Sequence, residues 1–130
     1  MRILVVGANG YLGSHVTLSL VAAGHEVIGL EQSSSTLDRL SGLGGAVEVF
    51  FSDKIDLGAF FATRGIAGVI HAATYYGRDK TDSGALVRAN VEAPVTILSQ
   101  ALPHVGFFIN CDTVLLPETS PYALSKFQFR

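Results

Sequence analysis

The chain has 130 residues, with 9 basic and 11 acidic side chains and a formal net charge of -2. That length suits one domain with a real core. An apolar share of 48% against 15% charged excludes intrinsic disorder and a charged tail protein, and the near-neutral balance lacks the basic face that nucleic acid requires. The single cysteine, Cys111, excludes an internal disulfide and makes the reducing cytoplasm the default compartment. No signal-peptide core follows Met1, and no run of about 18 apolar residues offers a membrane span.

In chain order, Ile3 to Val6 is a continuous apolar run that reads as a strand ended by Gly7. Tyr11 to Ala23 has helical spacing, with Leu12, Val16 and Leu20 on one face, and stops at Gly24. Glu26 to Leu30 is a second strand. Leu37 to Leu40 reads as a short helix ended by Gly42, Gly44 and Gly45. Val47 to Phe51 is a third strand, Leu57 to Thr63 a short helix ended by Gly65, and Gly68 to Ala72 a fourth strand. Leu86 to Leu102 is the longest helical segment, with Pro94 kinking or restarting it. Gly106 to Asn110 is a fifth strand. Ser120-Pro121 supplies an N-cap and a first-turn proline for a helix from Tyr122 to Arg130.

Strands that are apolar throughout and separated by helices predict an α/β fold, a doubly wound parallel sheet of Rossmann type covered on both faces. The last helix carries Phe127 and Phe129 and has run only about two turns where the sequence stops. This reads as a domain cut short after the fifth strand. A short terminal helix that packs both rings is the alternative.

The first strand runs into Gly7-Ala8-Asn9-Gly10-Tyr11-Leu12-Gly13. Gly7 permits the tight turn, Gly10 lets the backbone approach a pyrophosphate, and Gly13 lets the helix sit close to the sheet. The helix N-terminus offers unpaired N–H groups to phosphate. Set between a strand and a helix, the glycine string has the context a dinucleotide loop needs. Glu31 stands 18 residues after Gly13, at the end of the second strand. A carboxylate there bonds the adenosine ribose hydroxyls and repels a 2′-phosphate, so NAD is favoured over NADP. Arg39 keeps NADP open. Asp53, after the third strand, is placed to accept from an adenine amino group. Tyr122 and Lys126 stand at i and i+4 and share one helix face. An adjacent ammonium favours the phenolate, which makes Tyr122 a candidate proton donor and acceptor.

Taken together, the chain resembles the extended short-chain dehydrogenase/reductase family, the NAD-dependent epimerase/dehydratase group. The residues that carry the resemblance are Gly7-x-x-Gly10-x-x-Gly13, Glu31, Asp53-Lys54-Ile55-Asp56, Val69-Ile70-His71-Ala72-Ala73, Asn90 and Tyr122-x-x-x-Lys126. It implies that the loop, with Asn9, Tyr11 and Leu12, holds the pyrophosphate and that Glu31 holds the ribose. Ala72, Ala73 and Asn90 would line the cofactor. Tyr122 would exchange a proton with a nucleotide-sugar while the nicotinamide exchanges a hydride, and Lys126 would also hold the nicotinamide ribose. The family's usual hydroxyl position after the fifth strand falls on Cys111, a poorer donor, with Thr113 as its substitute. Asp112 falls where the dehydratases carry an acid, while Phe107 to Lys126 looks more like the 4-ketoreductases. His71 reads as a packed strand residue near the cofactor, and no metal site is expected.

Family members are about twice this length, and their later part builds most of the substrate pocket; on this reading that part is absent and the chain alone is inactive. They often dimerise through the long helix and the tyrosine helix, so a homodimer is the matching expectation, weakened by the shortness of the second helix. The competing readings are a dinucleotide-binding module without turnover and an inactive fragment.

Overall fold

The apolar runs pair as five parallel strands: β1 (Arg2–Val6), β2 (Glu26–Glu31), β3 (Val47–Phe51), β4 (Gly68–His71) and β5 (Phe107–Asn110), in the sheet order β3-β2-β1-β4-β5. The computed structural model describes residues 1–43, 45–77 and 83–130. Gly44, read as part of a helix-ending glycine cluster, lies outside them. The register sets Val6 beside Leu30 on one side and His71 on the other.

Strand period two splits the core between the two faces of the sheet. Leu4, Val6, Ile28, Leu30 and Val69 face one way and pack against Phe60 and Phe61 of α2 (Leu57–Arg64) and Ile97 and Ala101 of α4 (Ala93–Ala101). Val5 and Val27 face the other way, toward Val16, Leu20 and Val21 of α1 (Tyr11–Ala22). The doubly wound expectation is met. The chain leaves β1 toward one face and β4 toward the other, and the fork between them is where such sheets place a ligand.

Local chemistry sets the helix ends. Asp56 caps α2 by accepting from the Ala59 amide at 2.9 Å, and Gly65 closes it in the left-handed conformation. Ser120 caps α5 (Pro121–Gln128) by accepting from the Ala123 amide at 3.1 Å, with Pro121 in the first turn.

Two elements differ from the sequence reading. Leu37 to Leu40 is a set of turns leading into a 3-10 turn, Ser41–Leu43, not a helix. The Arg39 amide donates to Asn9 Oδ1 at 2.9 Å, and the Leu40 amide is shared between Asn9 Oδ1 at 3.2 Å and the Leu37 carbonyl at 3.1 Å, a single-turn bond and not an α-helical one. The long segment is divided into α3 (Ser83–Val87), a π-helical turn (Arg88–Glu92) and α4. The Ala93 amide donates to the Arg88 carbonyl, an i to i−5 bond. Pro94, in the first turn of α4, has no N–H with which to continue an α-helix through this point.

Candidate functional site

One cleft of about 850 Å³ opens at the carboxyl ends of β1, β2, β4 and β5. Its floor is the loop from β1 to α1. Gly7 adopts φ 77, and a Cβ there would lie 2.7 Å from Ala73 Cα. A Cβ on Gly13 would lie 1.9 Å from the Gly7 carbonyl oxygen. Only hydrogen fits at either contact, so the loop sits directly on the Ala72-Ala73 turn and α1 sits directly on the loop. Gly10 precedes α1 with no side-chain cap, so no capping side chain competes for the first-turn amides. A cradle lined by backbone N–H groups at the head of a 12-residue helix fits an anionic pyrophosphate.

Gly7, Asn9, Gly10, Tyr11 and Leu12 line the cleft, while Gly13 lies beneath them. Glu31 lines it too and is 9% exposed. Its Oε1 accepts from the Asn9 amide at 2.6 Å. Burial pushes the carboxyl up, and the Asn9 amide and the Ser35 hydroxyl oppose that. The Asn9 side chain points to the neighbouring connection, where Nδ2 donates to the Thr36 carbonyl at 2.7 Å. Asp53 is not among the lining residues. Its carboxylate accepts from the Ser33 amide at 2.8 Å and from the Ser33 hydroxyl, which hold its pKa at about 2.

At the other end stand Ala72, Ala73, Tyr76, Cys111, Asp112, Tyr122 and Lys126. The Tyr76 and Tyr122 rings lie 5.1 Å apart between centroids. Lys126 is 2% exposed. Burial pushes its ammonium down, and the charges of Asp112 and Cys111 hold it up. Burial pushes the Cys111 thiol up, with Lys126 acting against it. Asp112 lies below the usual carboxylate range: burial opposes ionisation, but the Thr113 amide, the Arg130 guanidinium and Lys126 together prevail. Of the two residues weighed for the hydroxyl role, Cys111 lines the cleft and Thr113 does not. The Thr113 Oγ1 accepts from the Leu115 amide at 3.2 Å.

Asn90 also lies behind the wall instead of on it. It is 1% exposed and its amide is fully used. Oδ1 accepts from the Tyr75 amide at 2.8 Å and from the Thr74 hydroxyl at 3.3 Å, and Nδ2 donates to the Tyr75 carbonyl at 2.8 Å and to Ser125 Oγ at 2.9 Å. Ser125 was not singled out from the sequence, nor was Asn110, whose Oδ1 pairs with His71 Nδ1 at 3.1 Å. His71 is 1% exposed, stacks on Phe108 and lines the cleft. Burial drives its pKa down to about 4, against the Asn110 bond and with the Lys126 charge. Local pattern could not show these pairs, because their members lie on separate elements. Among the described residues no cluster of ligands suits a metal, and no helix is long and apolar enough to cross a membrane.

Comparisons with known proteins bear on the fold and the family. UDP-glucose 4-epimerase of Erwinia amylovora is 37% identical over 81 residues, covering 56% of this chain and 24% of the relative. CDP-abequose synthase of Salmonella muenchen is 27% identical over 114 residues, covering 86% of this chain and 37% of the relative. The crystal structure of a UDP-glucuronic acid 4-epimerase from Bacillus cereus in complex with NAD superposes with a TM-score of 0.84 at 23% identity, over 99% of this chain and 49% of that one. The chain therefore spans about half the length of that structure and less of the curated relatives. The model of the NAD dependent epimerase/dehydratase family matches residues 3–116, and the chain belongs to that family.

Proposed function

We propose that this chain supplies the dinucleotide site and the acid–base pair of an NAD-using enzyme that acts on a nucleotide-sugar. The observation that carries the reading is a single cleft. It joins the glycine loop and Glu31 at one end to Tyr122, Lys126 and Cys111 at the other. The cradle, the buried acid and the buried ammonium suit the pyrophosphate, the adenosine ribose and the nicotinamide ribose in turn. The relatives named above act on, or are named for, nucleotide-sugars, and the Bacillus cereus structure holds NAD. Ala72, Ala73 and the loop residues Asn9, Tyr11 and Leu12 would contact the dinucleotide, while Asn90 would support it from behind.

When bound, the nicotinamide supplies the hydride donor or acceptor. The chain's own part is proton traffic and orientation. Tyr122 gives or takes a proton at the sugar oxygen, with the Lys126 ammonium on the same helix and the same cleft wall. Cys111, which lines the cleft where Thr113 does not, would meet that oxygen. Epimerisation, dehydration and 4-keto reduction all use these parts. Glu31 favours NAD over NADP. A cytoplasmic location and a homodimer belong to the same reading.

A second reading, a dinucleotide-binding module without turnover, is favoured by the thiol of Cys111 at the family's hydroxyl position. Titration with NADH, followed by cofactor fluorescence, tests what both share, and saturable binding is expected. Absence of binding at millimolar NADH would overturn both. Tyr122→Phe then divides them in a protein that also carries the substrate half seen in the relatives. Lost turnover with retained NADH binding supports the enzyme, and turnover unaffected by the substitution removes Tyr122 from the chemistry.

A further inference from the structure

Between β2 and β3 the sequence carries one basic side chain, Arg39. The same connection sends Gln32, Ser35 and Thr36 to the cleft wall beside Glu31, but Arg39 is not on that wall. It is turned to the phosphate loop. Its Nη1 donates to the Asn9 carbonyl at 3.3 Å, and its backbone amide donates to Asn9 Oδ1 at 2.9 Å. Leu40 shares the same Oδ1 at 3.2 Å, and Asn9 Nδ2 holds the Thr36 carbonyl at 2.7 Å. Asn9 is 7% exposed; its bond from the Leu40 amide is buried, where an unmade one is costly, and those to Thr36 and Arg39 are partly buried.

A dinucleotide with a 2′-phosphate is recognised by a cation beside the ribose. Glu31, at the end of β2 and on the cleft wall, opposes such a phosphate by its carboxylate. Withholding the nearby guanidinium is a second filter, and the geometry provides it.

We infer that Asn9 is a positioning residue for dinucleotide choice. By holding Arg39 against the phosphate loop, it keeps the one cation of this connection away from the ribose 2′ position and so favours NAD over its 2′-phosphorylated form. The inference deepens the dinucleotide reading above and rests on it.

The test compares NADH and NADPH affinities, by fluorescence titration, for the unsubstituted chain, Asn9→Ala, Arg39→Ala and the double variant. Asn9→Ala keeps the backbone amide that holds Glu31 and the carbonyl that meets Arg39 Nη1, and frees the Arg39 and Leu40 backbone that the side chain anchors, so that Arg39 can move toward the ribose. It is expected to shift the affinity ratio toward NADPH by about five- to tenfold, the scale of a partly screened charge contact. Arg39→Ala is expected to leave the ratio within about twofold, and the double variant to return to that value. General loosening of the fold would weaken both dinucleotides alike and leave the ratio unmoved. An unmoved ratio in folded Asn9→Ala overturns the inference, and so does an Arg39→Ala variant that itself loses NADPH affinity by about tenfold. If Asn9→Ala does not fold, the Arg39→Ala result decides alone. Failure of the unsubstituted chain to bind either dinucleotide would instead overturn the underlying reading, and this one with it.

Discussion

Asn90 Nδ2 donates to Ser125 Oγ at 2.9 Å, and Ser125 Oγ donates onward to the Tyr122 carbonyl at 2.7 Å. One buried amide thus fixes the start of the helix that carries Tyr122 and Lys126. It also holds the Thr74-Tyr75 stretch after β4, so two walls of the cleft depend on it. Asn90→Ala is expected to destabilise the chain by about 3 kcal/mol, because several buried groups lose partners together. Ser125→Ala is expected to cost about 1 kcal/mol. Urea denaturation of both and of the double variant checks this. Simple addition of the two effects would show that the pair is not coupled.

Gly13 has no room for a side chain against the Gly7 carbonyl. Gly13→Ala is expected to cost about 2–3 kcal/mol through overpacking of rigid backbone. It is also expected to weaken NADH binding, because the loop must move to admit the methyl group. A thermal melt unchanged from the parent would show that the loop and helix can part at no cost.

The two residues of the tyrosine helix are expected to separate in binding. Lys126→Ala removes a buried cation from the cleft wall and should weaken NADH by about tenfold or more. Tyr122→Phe keeps the ring beside Tyr76 and should leave NADH affinity within about twofold. Equal losses for both variants would place the phenol on the dinucleotide, not on the substrate side.

His71 titrates at about 4 in the folded chain, against about 6.5 unfolded. A depressed histidine pKa means that the unfolded chain binds more protons between these values. Stability due to His71 is therefore complete above about pH 6.5 and falls as pH drops through the window toward 4, by about 3 kcal/mol at most. Glu31, raised by burial, works in the opposite sense near its own range. Urea midpoints between pH 7.5 and 4.5 are expected to fall with pH, and less so in His71→Gln. Equal slopes in the two chains would show that the imidazole is not held neutral.

Cys111 lines the cleft and its thiol is pushed up by burial. Labelling by a thiol reagent at neutral pH is expected to be slow, since the thiolate is the reactive form. Bound NADH should slow it further, by about tenfold. Labelling at the rate of a free thiol, with no protection by NADH, would move Cys111 off the cofactor side of the cleft.

The strands and the phosphate loop were legible because their causes are local. Ile3 to Val6 is apolar on both faces, and the glycines sit where a turn and a close approach need them. The Ser120-Pro121 cap was legible for the same reason. What escaped was settled by partners far along the chain. Leu37 to Leu40 has helical spacing, but Asn9, 30 residues away from Arg39, takes the Arg39 amide and shares that of Leu40 with the Leu37 carbonyl. Asn90 was singled out through family resemblance, yet its Ser125 partner lies 35 residues on. His71 was read as packed, and the Asn110 bond that orients it spans 39 residues. Asp53 and Thr113 have the right chemistry for the cleft, but nearer backbone amides claim them.

The π turn at Arg88–Glu92 divides one helix into two jobs. Such a turn holds one residue more than an α-helical turn would. Deleting a single residue there is expected to remove the extra residue while Pro94 still interrupts the ladder, with Ile97 and Ala101 kept on the sheet and Asn90 taken off Tyr75 and Ser125. The part of the helix that builds the core is thus insulated from the part that aims a side chain. A lineage can gain or lose the aimed residue through one codon without repacking the domain.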